Sequence, residues 1–297
     1  MLRENTENWL LSHRSFSKVA KSNLDKKARI ISVASGKGGV GKTSIALKFA
    51  LTLAQKGYKT LLIDCDYNLS NSYIKLNISN KRNLYSYYKE EISLDECIIK
   101  KDNFNLLAGC NGNLELFKDK FGSECFFINV LASLEKDYDY IFLDSPAGIG
   151  SDILALNAYS DDRIIVVTPD KSSLTDSYSL IKILNKKYGV NRNFILANMV
   201  LNKRQYKRIV TGLSNTVDMY LTCRLSFLGK IDYSIDEIEH FDQSLFCDKE
   251  EFSLHQNFCK VIDRFTESYD IGPDIKLKNK SFFGEKVDRN EQDVRTI

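Results

Sequence analysis

The run Gly36-Lys37-Gly38-Gly39-Val40-Gly41-Lys42-Thr43 has the spacing G-x-x-x-x-G-K-[ST], which suits the phosphates of a nucleotide. Its glycines let backbone N–H groups turn inward into a concave anion nest at the start of a helix. Lys42 has the reach to meet β- and γ-phosphates, and the Thr43 hydroxyl can ligate Mg²⁺. The residues assigned to the nucleotide are therefore Gly36, Lys37, Gly38, Gly39, Val40, Gly41, Lys42, Thr43 and Ser44. Two further apolar runs close on carboxylates. Leu61-Leu62-Ile63 leads into Asp64-Cys65-Asp66, and Tyr140-Ile141-Phe142-Leu143 leads into Asp144-Ser145-Pro146-Ala147-Gly148-Ile149. Phosphoryl transfer to water needs Mg²⁺ held in place and a water aimed in line with the leaving group, and carboxylates at strand tips can do both.

These groups must be carried by a sheet. Short continuous apolar runs at 30–34, 60–63, 104–107, 140–143, 163–167, 194–198 and 225–228 read as strands covered on both faces. Helical stretches at 43–55, 125–135 and 172–187 lie between them. This alternation predicts an α/β fold, a doubly wound and mostly parallel sheet flanked by helices. Ligands of such sheets bind at the carboxyl ends of the strands, where the three motifs should converge. The chain divides into an N-terminal appendage (1–28), a nucleotide-binding domain (29–269) and a polar tail (270–297).

Composition narrows the class. A chain of 297 residues can bury one large α/β core. The net charge of +3 is too weak to argue for nucleic acid or an acidic membrane by itself. Seven cysteines are scattered with no C-x-x-C pair, which suits a reducing interior better than a disulfide framework or a cysteine-held metal, and argues against an iron–sulfur carrier. No apolar run approaches the ~18 residues of a membrane span, and the first residues lack the basic-then-apolar order of a secretion signal. A cytoplasmic protein is expected.

Lys37, directly after the first glycine, makes the loop K-G-G-x-G-K-[ST] and resembles the deviant phosphate loop of the ParA/MinD ATPases. That resemblance implies ATP and ADP as ligands, Mg²⁺ as cofactor and an ATP-dependent homodimer. Lys37 would then cross to the nucleotide of the other subunit. It also places Asp66 on the attacking water and Asp64 and Asp144 around the metal with Thr43, so that Lys37, Lys42 and Asp66 carry catalysis. Ser145 to Ile149 resembles the family's second switch, with Gly148 close to the γ-phosphate, and Asn198 resembles the strand-end asparagine that meets adenine. The pattern departs in two places. Asn68 replaces a glycine that relatives carry after the paired aspartates, although Asn71 is retained, and Asp232 stands where relatives usually have proline.

Thr175-Asp176-Ser177-Tyr178-Ser179-Leu180-Ile181-Lys182 resembles the flagellar MinD-like ATPases of the FlhG, FleN and YlxH group. That resemblance implies control of flagellar number or placement, with an FlhF-like GTPase, flagellar basal-body proteins and the inner face of the cell membrane as partners. Division-site MinD and DNA-partitioning ParA are the alternatives. Two segments bear on partners. Residues around Trp9 could form a partner-binding helix. Leu254, Phe258, Val261, Ile262, Phe265 and Tyr269 share one helical face, which would either pack on the core or reach a membrane, as would the patch 280–283. The basic run 203–208 reads as a solvated helix face in preference to a nucleic-acid site.

Overall fold

The fold comes from a computed structural model, which describes residues 27–66, 72–76, 78, 82–109, 122–233 and 253–270. The segment around Trp9, the stretch containing Asn68 and Asn71, and the patch 280–283 lie outside the described residues.

Eight strands form one sheet. They are β1 (Arg29–Ala34), β2 (Thr60–Asp64), β3 (Ile98–Lys101), β4 (Phe104–Leu107), β5 (Tyr140–Asp144), β6 (Asp162–Val167), β7 (Arg192–Val200) and β8 (Arg224–Asp232). Their order is β3-β4-β2-β5-β1-β6-β7-β8. Every pairing is parallel except β3 with β4. The apolar runs become buried strands because helices cover both faces. β2 and β6 are buried at every position. β3 has no counterpart among the strands expected from the sequence. Its residues Ile98-Ile99-Lys100-Lys101 run from buried to exposed, and a tight turn through Asp102 at φ 51° folds it back on β4.

The helices are α1 (Lys42–Gln55), α2 (Ser72–Lys75), α3 (Leu84–Tyr88), α4 (Leu94–Cys97), α5 (Gly122–Leu134), α6 (Ser151–Tyr159), α7 (Lys171–Tyr188), α8 (Lys203–Tyr220) and α9 (Ser253–Asp270). On one face of the sheet, α1 and α9 pack together over β1, β5 and β7. Phe49 of α1 meets Phe265 of α9 at 5.5 Å and Phe142 of β5 at 6.0 Å between ring centroids, and Phe194 of β7 meets Phe265 at 5.2 Å. Leu254, Phe258, Val261, Ile262 and Phe265 are all buried there, so the apolar face of α9 is packed on the core. Among the described residues no helix is long and apolar enough to cross a membrane. Helices α7 and α8 close the other face through a cluster that includes Leu180, Leu184, Ile209 and Leu213.

Candidate active site

β1 ends at Ala34 and the chain turns at once into the phosphate loop. Gly39 (φ 75°) and Gly41 (φ 89°) adopt left-handed backbone that side chains disfavour, and Gly41 is the residue capping α1. Gly36 is a glycine for a different reason. A Cβ there would lie 2.3 Å from the carbonyl carbon of Asp176 in α7, and backbone cannot move aside cheaply. The Thr175–Lys182 segment of α7 is thus packed directly under the first glycine of the loop. Gly36→Ala is expected to cost about 1–3 kcal/mol of stability through overpacking. Chemical denaturation of the variant measures this, and ATP affinity should fall with it because the loop is displaced.

The carboxylates converge as the sheet demands. Asp64 and Asp144 are direct neighbours in the β2–β5 register, and Val33, one residue before the end of β1, pairs with Asp144. Both aspartates are buried. Asp64 uses both oxygens. Oδ1 accepts from the Asp66 N–H at 3.0 Å, and Oδ2 accepts from the Ser72 N–H at 3.2 Å and from its hydroxyl. It therefore ties the chain beyond β2 to the strand tip. Asp144 sits against the Thr43 hydroxyl, and its Oδ1 has no hydrogen-bond partner. Burial, and then the adjacent Asp64 charge, push its pKa up to about 8 despite Thr43 and Lys42. A buried carboxylate oxygen without a donor, beside a threonine hydroxyl, fits a hard divalent cation. Among the described residues there is no cluster of three or more acidic, histidine or cysteine ligands. A Mg²⁺ that draws its other ligands from phosphates and water needs none.

Lys42 Nζ donates to Ser35 Oγ at 2.9 Å, and Ser35 Oγ donates to the Lys37 carbonyl at 2.6 Å. Burial lowers the Lys42 pKa, opposed by attraction to Asp144 and Asp66. Lys37 Nζ is bound to Asp170 Oδ1 of the same chain at 2.9 Å, at the N-terminus of α7. Burial disfavours the Asp170 charge. Donation from Ser172, Thr168, Lys37 and the Ser173 N–H outweighs it and holds the carboxyl well below the usual range. The Gly148 N–H donates to the Ser35 carbonyl at 3.0 Å, which docks the second switch on the base of the loop. Asn198 is buried, and its amide donates to the Val40 carbonyl at 2.8 Å. In this structure it braces the loop from behind.

The result is a cleft of about 430 Å³ lined by Gly38, Gly39 and Gly41 to Ser44 of the loop, by Asp66 and Asp144, by Ser145 to Ala147 of the second switch, and by Lys75. Of the residues expected from the sequence, Gly38, Gly39, Gly41, Lys42, Thr43, Ser44, Asp66 and Asp144 line it, Asp64 and Asn198 are buried beside it, and Lys37 lines the adjoining cavity. Sequence reasoning missed Ser35, Ser72, Lys75, Asp170 and Asp176. Only the proximity of Ser35 to the loop and of Asp170 to a helix start offered a signal.

Residues 28–197 match the family described as the AAA domain. The antiactivator FleN of Pseudomonas aeruginosa is 28% identical over 206 residues, covering 69% of this chain and 74% of FleN. The flagellum site-determining protein YlxH of Helicobacter pylori is 35% identical over 229 residues, covering 73% of this chain and 74% of YlxH. The septum site-determining protein MinD of Escherichia coli is 36% identical over 212 residues, with 69% and 78% covered. Among solved structures, the cell division ATPase MinD of Pyrococcus furiosus superposes with a TM-score of 0.68 at 22% identity, covering 81% of this chain and 99% of that one. The MinD of Pyrococcus horikoshii, solved with Mg-ADP, gives 0.67 at 22% identity, with 84% and 100% covered. The phosphate loop with its extra lysine, the sheet order and these matches have one meaning: the chain belongs to the AAA-domain P-loop ATPases, in the MinD/ParA type, and within that type it is FlhG-like.

Proposed function

We propose that this protein is an ATP-driven dimerisation switch that governs flagellar number or placement. The observation that carries the reading is the cleft in which Lys42, Asp66 and Asp144 meet, with Lys37 lining the cavity beside it. The flagellar role is supported by the two relatives named for antiactivation and for flagellum site determination. The α7 wording that packs under Gly36 favours it over the division-site role suggested by the MinD relatives.

ATP would lie with its triphosphate over the loop amides and Lys42. Thr43 and Asp144 would hold Mg²⁺, which when bound supplies the charge that offsets the phosphates, while Asp64 keeps the segment bearing Asp66 in place. Asp66 would orient the attacking water. Lys37 would leave Asp170 and reach the nucleotide of a second copy, so dimerisation requires breaking an exposed ion pair of modest strength. Gly148 would exchange its bond to Ser35 for the γ-phosphate. ADP restores the separate subunits. An FlhF-like GTPase, basal-body proteins and the membrane surface are the partners this switch would serve. Because the apolar face of α9 is packed on the core, membrane attachment through α9 would require that helix to undock.

Size-exclusion chromatography with Mg-ATP and with Mg-ADP tests the switch. A dimer in ATP and a monomer in ADP is expected, and equal assembly in both would reject it. Lys37→Ala should bind ATP within a few-fold of wild type yet remain monomeric in the same experiment. A strain lacking the gene should change flagellar count or position. Minicells with normal flagella would favour the division-site role.

A further inference from the structure

The second switch leaves β5 at Ser145 and returns to regular structure at Ser151, where α6 begins. One side chain joins these two ends. Asn157 of α6 donates from Nδ2 to Ser145 Oγ at 3.1 Å. Resting on the ATPase reading above, we propose that Asn157 is the positioning residue of the second switch. It clamps the entry of the loop to the helix that ends it, so that a γ-phosphate moves only the span 146–150.

Asn157 is a poor choice for folding alone. It is fully buried among Leu154, Leu156 and Ala158, which are buried too. Its second Nδ2 hydrogen donates to the Ile153 carbonyl at 2.7 Å, while its Oδ1 has no hydrogen-bond partner among the described residues. A buried acceptor left unpaired destabilises the folded chain, and asparagine is a weaker helix former than leucine. What asparagine supplies and leucine cannot is a donor for Ser145. Both ends of that bond are rigid. Arg163 of β6 donates from Nη1 to the Asn157 carbonyl at 3.1 Å. The Ser145 N–H donates to the Val33 carbonyl at 3.1 Å, next to the end of β1. The span between is held differently. Pro146 has no N–H to give, Gly148 takes a φ of 111°, and Ile149 is 49% exposed. The Gly148 N–H is the group that would exchange the Ser35 carbonyl for the γ-phosphate. With Ser145 clamped, that exchange would shift 146–150 while Asp144, the carboxylate before it, keeps its place in the cleft.

Single-turnover ATP hydrolysis and calorimetric titration of the full chain test the clamp. Asn157→Leu removes the donor and the unpaired oxygen together, so it should unfold at a urea concentration no lower than wild type. It should bind Mg-ADP within about threefold of wild type, yet hydrolyse bound ATP at least about tenfold more slowly, because a small misplacement of the switch is felt in the chemical step. Its ratio of ATPγS to ADP affinity should fall about fivefold or more. Ser145→Ala deletes the same bond from the other side and should slow hydrolysis by a similar factor, whereas Ser145→Thr keeps the hydroxyl and should stay within about threefold. The two deletions combined should be no slower than the slower single variant, since both remove one bond. Wild-type hydrolysis in either Asn157→Leu or Ser145→Ala, additive losses in the double variant, or an equal loss of ADP and ATPγS affinity overturns the assignment and leaves the ATPase reading intact. Should Asn157→Leu not fold, Ser145→Ala against Ser145→Thr decides alone: equal rates overturn the clamp. A wild-type chain that neither binds nor hydrolyses ATP would bring down both.

Discussion

Lys42→Ala should abolish ATP binding at any practical concentration, with an affinity loss of at least about 100-fold. The cleft already holds Asp66 and Asp144, and ATP brings several more negative charges into it. Without Lys42 the loop itself offers only its amides to that charge, and a charge-assisted hydrogen bond of this kind contributes about 1.5–3 kcal/mol per contact. The lysine lies against Ser35 Oγ at 2.9 Å, close enough to the glycines of the loop to swing onto a phosphate without rebuilding it. Its effect on folding should be small. Burial disfavours its charge, attraction to Asp144 and Asp66 favours it, and the two oppose each other. The variant should therefore unfold within about 1 kcal/mol of wild type in urea while showing no heat of ATP binding. Normal ATP affinity in Lys42→Ala would remove the phosphate assignment on which everything else about the cleft depends.

What the chain reveals by inspection is what repeats locally. The strands carrying the site are legible because both of their faces are buried, so they read as unbroken apolar runs, and Asp64 and Asp144 each close one of them. β3 is illegible for the opposite reason: two of its four residues are lysines turned to solvent, and only its turn betrays it. The glycine spacing announces the loop, yet the reason for Gly36 lies 140 residues away in Asp176. Lys37 and Asp170 are likewise separated by 133 residues, and no period in the sequence joins them. Asn198 is legible as a strand-end polar residue, but its partner, the Val40 carbonyl, is set by how β7 meets the loop. The last helix is the clearest case of an ambiguity that spacing cannot resolve. One apolar face serves a core or a membrane equally well, and the presence of Phe49 and Phe194 opposite Phe265 decides it.

Asp66→Ala should separate nucleotide binding from turnover. The backbone of this residue is held independently of its side chain, because its N–H donates to Asp64 Oδ1 at 3.0 Å. Removing the carboxylate therefore leaves the strand tip, the Asp64 tether to Ser72 and the phosphate loop in place. The loss falls on the water: a positioned acid–base group contributes typically 10²–10⁴-fold to rate, so hydrolysis should drop by at least about 100-fold. Binding should not drop with it, since one negative charge leaves a cleft that must accept a polyanion; ATP affinity should hold or improve. A subunit pair that forms on ATP and cannot convert it to ADP has no route back, so the variant should elute as a persistent dimer with ATP and as a monomer with ADP. Adding Lys37→Ala to it should return the ATP-loaded protein to monomer, because the cation that reaches across the interface is then missing. Wild-type hydrolysis by Asp66→Ala would move the water-positioning role to another group in the cleft, and Lys75, which lines it beside Asp66, would be the next to replace.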